Sequence, residues 1–279
     1  MMNKYFLLQI IVSFVIGGAF VTFLSFLAER IDKYSGIILT FPSTLTIGFF
    51  FLGMILGADK IITIIPVTLI SLGSAILFAA IYFYAALLLK RANADKIYQI
   101  ICSFCFSTMC WFALVFYFIM KKFSNLTLGI VSYLLLITIT YVLLNLKNNN
   151  VTNIKVLKYS IGQKICRALF VGGLIATIVI LSKSYALWGA AFAMFPAAIA
   201  STIMTFHWYY GIDKLLPVVK KMPIGSVSLF VYALVSIFSF RYFGFIFGTI
   251  VSCIVSLLTS ILICYFRNGV AKWQLSPRQ

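Results

Sequence analysis

Two segments carry most of the chemistry this sequence offers. FPSTLTIGFFFLGMILGADK runs from Phe41 to Lys60, and FPAAIASTIMTFHWYYGIDK runs from Phe195 to Lys214. Both open on Phe-Pro and close on Gly-x-Asp-Lys. A proline inside an apolar run removes one backbone hydrogen bond and clashes with the carbonyl four residues back. In a bilayer the freed carbonyl must find another partner. Matched proline-interrupted spans in two halves of a chain point to a central transport site. The expected substrate-binding set is therefore Pro42 with Ser43, Thr44 and Thr46, and Pro196 with Ser201. Their hydroxyls would bind a solute oxygen or bond back to their own helices. Asp59 and Asp213 are the expected gating residues, one on each face of the membrane. The plainer reading makes each a helix stop in water, since an exposed acid–lysine pair contributes little.

His207 is the one histidine. Histidine titrates near neutral pH and can relay a proton. With Trp208, Tyr209 and Tyr210 beside it, it is expected at headgroup level in an aromatic belt. Gly17, Gly18, Gly172 and Gly173 are expected packing residues that let a second helix approach closely. Cys102 and Cys105 form a C-x-x-C with no second pair and no nearby histidine, so no metal site and no cofactor is expected. There is no H-E-x-x-H, no Ser-His-Asp set and no cluster of carboxylates, so no catalytic residues are assigned and the chain is not read as an enzyme.

These residues sit in a chain of 279 residues that is 63% hydrophobic and 10% charged. Soluble domains carry about 25% charged residues. The fold class is therefore an all-α polytopic membrane protein. Nine runs are long enough to span, at roughly 6–27, 36–57, 62–89, 97–120, 126–146, 168–183, 187–209, 224–240 and 243–266. The first is too long for a secretory h-region and lacks a cleavage site after it, so it is read as a retained helix. Nine spans place six of the 22 basic residues on the N-terminal side and sixteen on the other. The positive-inside rule then puts the N-terminus outside and the C-terminus in the cytoplasm. The net charge of +17 thus belongs to loops, and no nucleic-acid partner is expected.

The two opening segments are offset by 154 residues, and the glycine pairs, matched first to first, by 155. Farther on, ALV at 113–115 matches ALV at 233–235, and Lys121 matches Arg241, an offset of 120. The first half therefore holds 34 extra residues (154 less 120), which makes span 3, about 62–89, the natural inserted helix. The reading is two four-helix repeats, 1–147 and 168–279, joined by a basic linker at 148–167. Part of that linker is a candidate helix on the inner leaflet, where lysines meet anionic lipid. The odd inserted helix forces the second repeat in upside down, an inverted topology common among secondary transporters.

The four-helix unit, with Gly17-Gly18 and Phe41-Pro42 in one copy and Gly172-Gly173 and Phe195-Pro196 in the other, resembles the small GlpM-like bacterial membrane proteins. That resemblance implies two fused, inverted copies in a bacterial cytoplasmic (inner) membrane, and brings little functional content. The overall plan is also similar to that of drug/metabolite-type permeases, from which nine spans instead of ten departs. The expected function is a small permease moving an unidentified small solute by alternating access. The alternative is a non-transporting accessory or scaffold subunit of an envelope system. Expected partners are membrane lipid and the solute, and a homodimer is compatible with the sequence.

Overall fold

The computed structural model describes residues 4–30, 43–121, 123, 125–147 and 160–275. Among these residues every regular element is a helix, and each of the nine apolar runs contributes helix. The elements are α1 (Lys4–Arg30), α2 (Ser43–Leu56), α3 (Ala58–Arg91), α4 (Lys96–Met120), α5 (Leu126–Asn145), α6 (Ile161–Ser184), α7 (Ala186–Ala193), α8 (Ala197–Tyr210), α9 (Leu216–Val219) and α10 (Met222–Leu275). A single 3₁₀ turn, Ile212–Lys214, follows α8. Five stretches are long and apolar enough to cross a membrane: α3, α4, α5, α6 and residues 222–266 of α10. The protein is therefore a multi-pass helical membrane protein by length and composition.

Residues 161–167, expected in the linker, instead begin α6, which Ser160 caps. The Ser160 hydroxyl accepts from the Gln163 N–H, and the Gln163 side chain accepts from the Ser160 N–H. A cap of this kind contributes about 1 kcal/mol and fixes where the helix starts. The run at 187–209 is also not one helix. It breaks at Met194–Pro196 into α7 and α8.

The third apolar run, α3, is the hub of the bundle. Of its most apolar window 83% is buried, against 28% for α4 and 22% for α5. A helix apolar on all sides belongs in the middle of a bundle, not against lipid alone. α3 folds back on α4 through the turn at Ala92–Asp95, where Asn93 takes a left-handed φ of 56°. α5 lies parallel to α3, with Gly129 against Pro66, Tyr133 against Gly73, and the Tyr84 hydroxyl donating to the Leu143 carbonyl.

α10 is a hairpin. At Gly244 the backbone takes φ 69° and ψ 177°, and the chain reverses. Ser236 and Ser239 meet Ser252 across the hairpin, and Ser256 donates to the Ser228 carbonyl. The second arm runs antiparallel to α2, with Phe50 near Phe245 and Thr46 near Cys253. α8 runs antiparallel to α4, with Phe195 near Trp111 and His207 near Gln99. Since α3 is antiparallel to α4, α8 is parallel to α3. By the same logic α2 is parallel to the first arm of α10.

Candidate functional site

α1 and α6 pack antiparallel at the glycine pairs. A Cβ placed on Gly18 would come 2.8 Å from the Ala168 carbonyl oxygen, and one on Gly172 would come 2.6 Å from the Phe14 carbonyl oxygen. Gly17 faces the Ile175 side chain. Gly173 has open space around it. Three of the four expected packing glycines thus pack. The reciprocal partners are Gly18 and Gly172, 154 residues apart, which is the offset of the Phe-Pro segments and leaves no indel between them.

α2 and α8 each have 14 residues, and their first and last residues are all 154 apart, 43 with 197 and 56 with 210. Gly57 follows α2 with φ 79° and ψ 164°, and Gly211 follows α8 with φ 76° and ψ 167°. This corner of backbone space is closed to residues with a Cβ. Neither glycine has a neighbour within 4 Å of a notional Cβ, so dihedral freedom alone explains each.

The expected site residues divide. Pro42 lies outside the described residues, as do the side chains of Ser43 and Thr44, whose backbone opens α2. Thr46 hydrogen-bonds Cys253 at 3.2 Å. Pro196 is buried and caps α8, and Ser201 is half-buried one turn along, its carbonyl accepting from Thr205. Asp59 is exposed in the first turn of α3. Asp213 forms an ion pair with Lys90 at the end of α3, not with the adjacent Lys214.

His207 turns into the bundle, away from the aromatic side chains that follow it. Its side chain is 1% exposed, while the neighbouring Trp208 and Tyr209 are 48% and 52% exposed. Burial in helix-packed surroundings obliges each polar atom to find a partner. Tyr82 on α3 meets Nδ1 at 3.0 Å, and the Gln99 side-chain oxygen on α4 meets Nε2 at 3.2 Å. Gln99 in turn donates to the Ala94 carbonyl at 2.8 Å, tying the cluster to the α3–α4 turn. The Gln99 oxygen can only accept, so Nε2–H donates to it; in the neutral imidazole Nδ1 then accepts from the Tyr82 hydroxyl.

A second cluster occupies the space between α2 and α10. Tyr232 is fully buried beside Thr46, Ser236 and Thr249, and its ring packs edge-on to Phe49. Ser236 and Ser239 each bond Ser252 nearby. One cluster is built around an imidazole and the other from hydroxyls and a thiol.

The face of α4 that looks into the bundle carries Gln99, Ser103, Ser107 and Trp111, all buried, at a spacing of four. That polar stripe was present in the sequence at helical period and went unread. Ser107 donates to the Ser103 carbonyl, whereas the Ser103 hydroxyl and the Trp111 indole N–H have no partner among the described residues. Trp111 packs edge-on against Phe192 at 5.6 Å, on the last turn of α7, and Phe195 at 4.9 Å, within the α7–α8 break. Among the described residues no group of histidine, cysteine, aspartate or glutamate side chains is set to hold a metal ion.

No protein-family model, curated protein or solved structure matches this chain.

Proposed function

We propose that the protein is a small permease of two inverted halves that moves a small solute across a bacterial cytoplasmic membrane by alternating access. The reciprocal contact carries this reading: Gly18 on the Ala168 carbonyl and Gly172 on the Phe14 carbonyl. Exchanging the two halves at an offset of 154 converts either contact into the other. Antiparallel helices that meet this way are related by a twofold axis perpendicular to them, the relation an inverted repeat requires. The coextensive α2 and α8, each ended by a glycine in the same rare conformation, fit the same operation.

Helix directions refine the correspondence. α8 is parallel to α3 and antiparallel to α4, and α2 is parallel to the first arm of α10 and antiparallel to the second. On this reading α1, α2, α3 and α4 correspond to α6, α8 and the two arms of α10. The unmatched helix is then α5, in place of the third span that the sequence offsets favoured. The two polar clusters become counterparts, one per half, each flanking the central helices. By the positive-inside rule Lys90, Arg91, Lys96 and Lys214 put the His207 end in the cytoplasm.

The test uses a cysteine-free protein with Thr46→Cys or Pro196→Cys, labelled from each side of the membrane with a small impermeant thiol reagent. Labelling at each position from both sides supports alternating access. Absence of labelling at both positions in folded protein favours the accessory-subunit reading.

A further inference from the structure

The break between α7 and α8 sets three features against one another. First, α8 opens at Pro196; the Ala197 N–H bonds the Phe195 carbonyl, and the next first-turn N–H groups, of Ala198 and Ile199, have no helical acceptor at the positive end of the dipole. Second, the Trp111 indole N–H, on a side chain 1% exposed, has no acceptor among the described residues. An indole nitrogen can only donate, so nothing but an acceptor will satisfy it. Third, the walls are flat and apolar: Phe192 and Phe195 stack at 6.1 Å, and Trp188 lies 6.2 Å from Phe192. None of the five acidic residues, Glu29, Asp32, Asp59, Asp95 and Asp213, lies on α7, α8 or the length of α4. The break therefore offers donors and aromatic faces, on elements that carry no carboxylate of their own.

We infer that Trp111 and the start of α8 form a binding site for a small solute that presents an acceptor oxygen, carbonyl or carboxylate, beside a flat apolar group. The inference rests on the permease reading for the solute's route and names the solute's chemistry. The acceptor oxygen takes the Trp111 N–H, and the flat group lies against Phe195. Ser103, two turns along α4 with its own unpartnered hydroxyl, is the next polar step toward Gln99 and His207. Helix geometry puts it about 12 Å from Trp111 along the axis, so it is a separate station and not part of the same contact.

The probe is 4-fluorobenzamide, observed by fluorine NMR on the full chain in lipid nanodiscs. The companions are 4-fluorobenzoate, which carries the acceptor as an anion, and 4-fluorotoluene, which carries none. The expected result is saturable binding of the amide or the benzoate, whichever of the two binds more tightly naming the acceptor, with the toluene about tenfold weaker or worse. The Trp111 indole N–H resonance should move downfield in the wild-type protein, and Trp111→Phe should weaken the probe by about tenfold. The resonance is assigned by changing Trp188, Trp208 and Trp273 in turn, so the test does not depend on Trp111→Phe folding. Equal binding of the toluene, a stationary Trp111 resonance, or no saturable binding of either oxygen-bearing probe overturns the inference. Two-sided cysteine labelling is scored separately. Labelling without probe binding leaves the permease reading standing and this site fallen, and probe binding without labelling does the reverse.

Discussion

Gly18 and Ala168 meet with no room for a side chain between them: a Cβ on Gly18 would lie 2.8 Å from the Ala168 carbonyl oxygen. Gly172 meets Phe14 in the same way at 2.6 Å. Gly18→Ala and Gly172→Ala should each push α1 from α6 and destabilise the protein by about 1–3 kcal/mol, since a packed interface yields poorly to added volume. Gly173 has open space, so Gly173→Ala should be neutral or stabilise by up to about 1 kcal/mol through helix propensity. Unfolding by a denaturing detergent, monitored by circular dichroism, ranks the three. A Gly173→Ala cost as large as the others would show that the glycines matter for something besides this contact.

Gly57 and Gly211 have space for a Cβ and no freedom for one. Gly57→Ala and Gly211→Ala should therefore each cost about 1–3 kcal/mol from backbone strain alone. The check is the same unfolding assay, with Gly162→Ala, also in open space and inside a helix, as the neutral control.

Tyr82, His207 and Gln99 form one buried chain of hydrogen bonds. Tyr82→Phe removes one link, and the expected loss is about 0.5–1.5 kcal/mol. His207→Ala strands two buried partners and should lose more, about 1–3 kcal/mol for each group left unpaired. In a double-mutant cycle the pair Tyr82→Phe and His207→Ala should be non-additive, because both report the same bond. Strict additivity would mean that the Tyr82–His207 bond contributes nothing.

Lys90 and Asp213 are paired with 45% and 65% of their side chains exposed. Such a pair is screened and contributes about 0–1 kcal/mol. Asp213→Asn should thus leave stability nearly unchanged, in low or high salt. If Asp213 gates the cytoplasmic end, the same variant should raise cytoplasmic labelling of Pro196→Cys. Unchanged stability and unchanged labelling together would make the aspartate a simple helix stop.

Hydropathy made the helices legible, because a 20-residue apolar run has few other homes. The matched Gly-x-Asp-Lys endings also spoke plainly, since Gly57 and Gly211 share one backbone conformation. The pairing of Thr46 with Cys253, separated by 207 residues, leaves no trace in local periodicity. His207 hid its partners because its neighbours Trp208 and Tyr209 face outward while it turns in. α3 hid its central place because a uniformly apolar helix reports burial without naming its neighbours. The α4 stripe from Gln99 to Trp111 was readable, and a search for polar residues at helical spacing inside apolar runs would have found it.

Opposite orientation of the two halves is the central claim, and the exposed lysines of the two equivalent turns test it most directly. Lys60→Cys and Lys214→Cys, each in a cysteine-free protein, are labelled with an impermeant maleimide in right-side-out and inside-out vesicles. The account predicts that Lys60→Cys labels only from outside and Lys214→Cys only from the cytoplasm. Labelling of both from the same side would contradict the inverted repeat and, with it, the alternating-access permease.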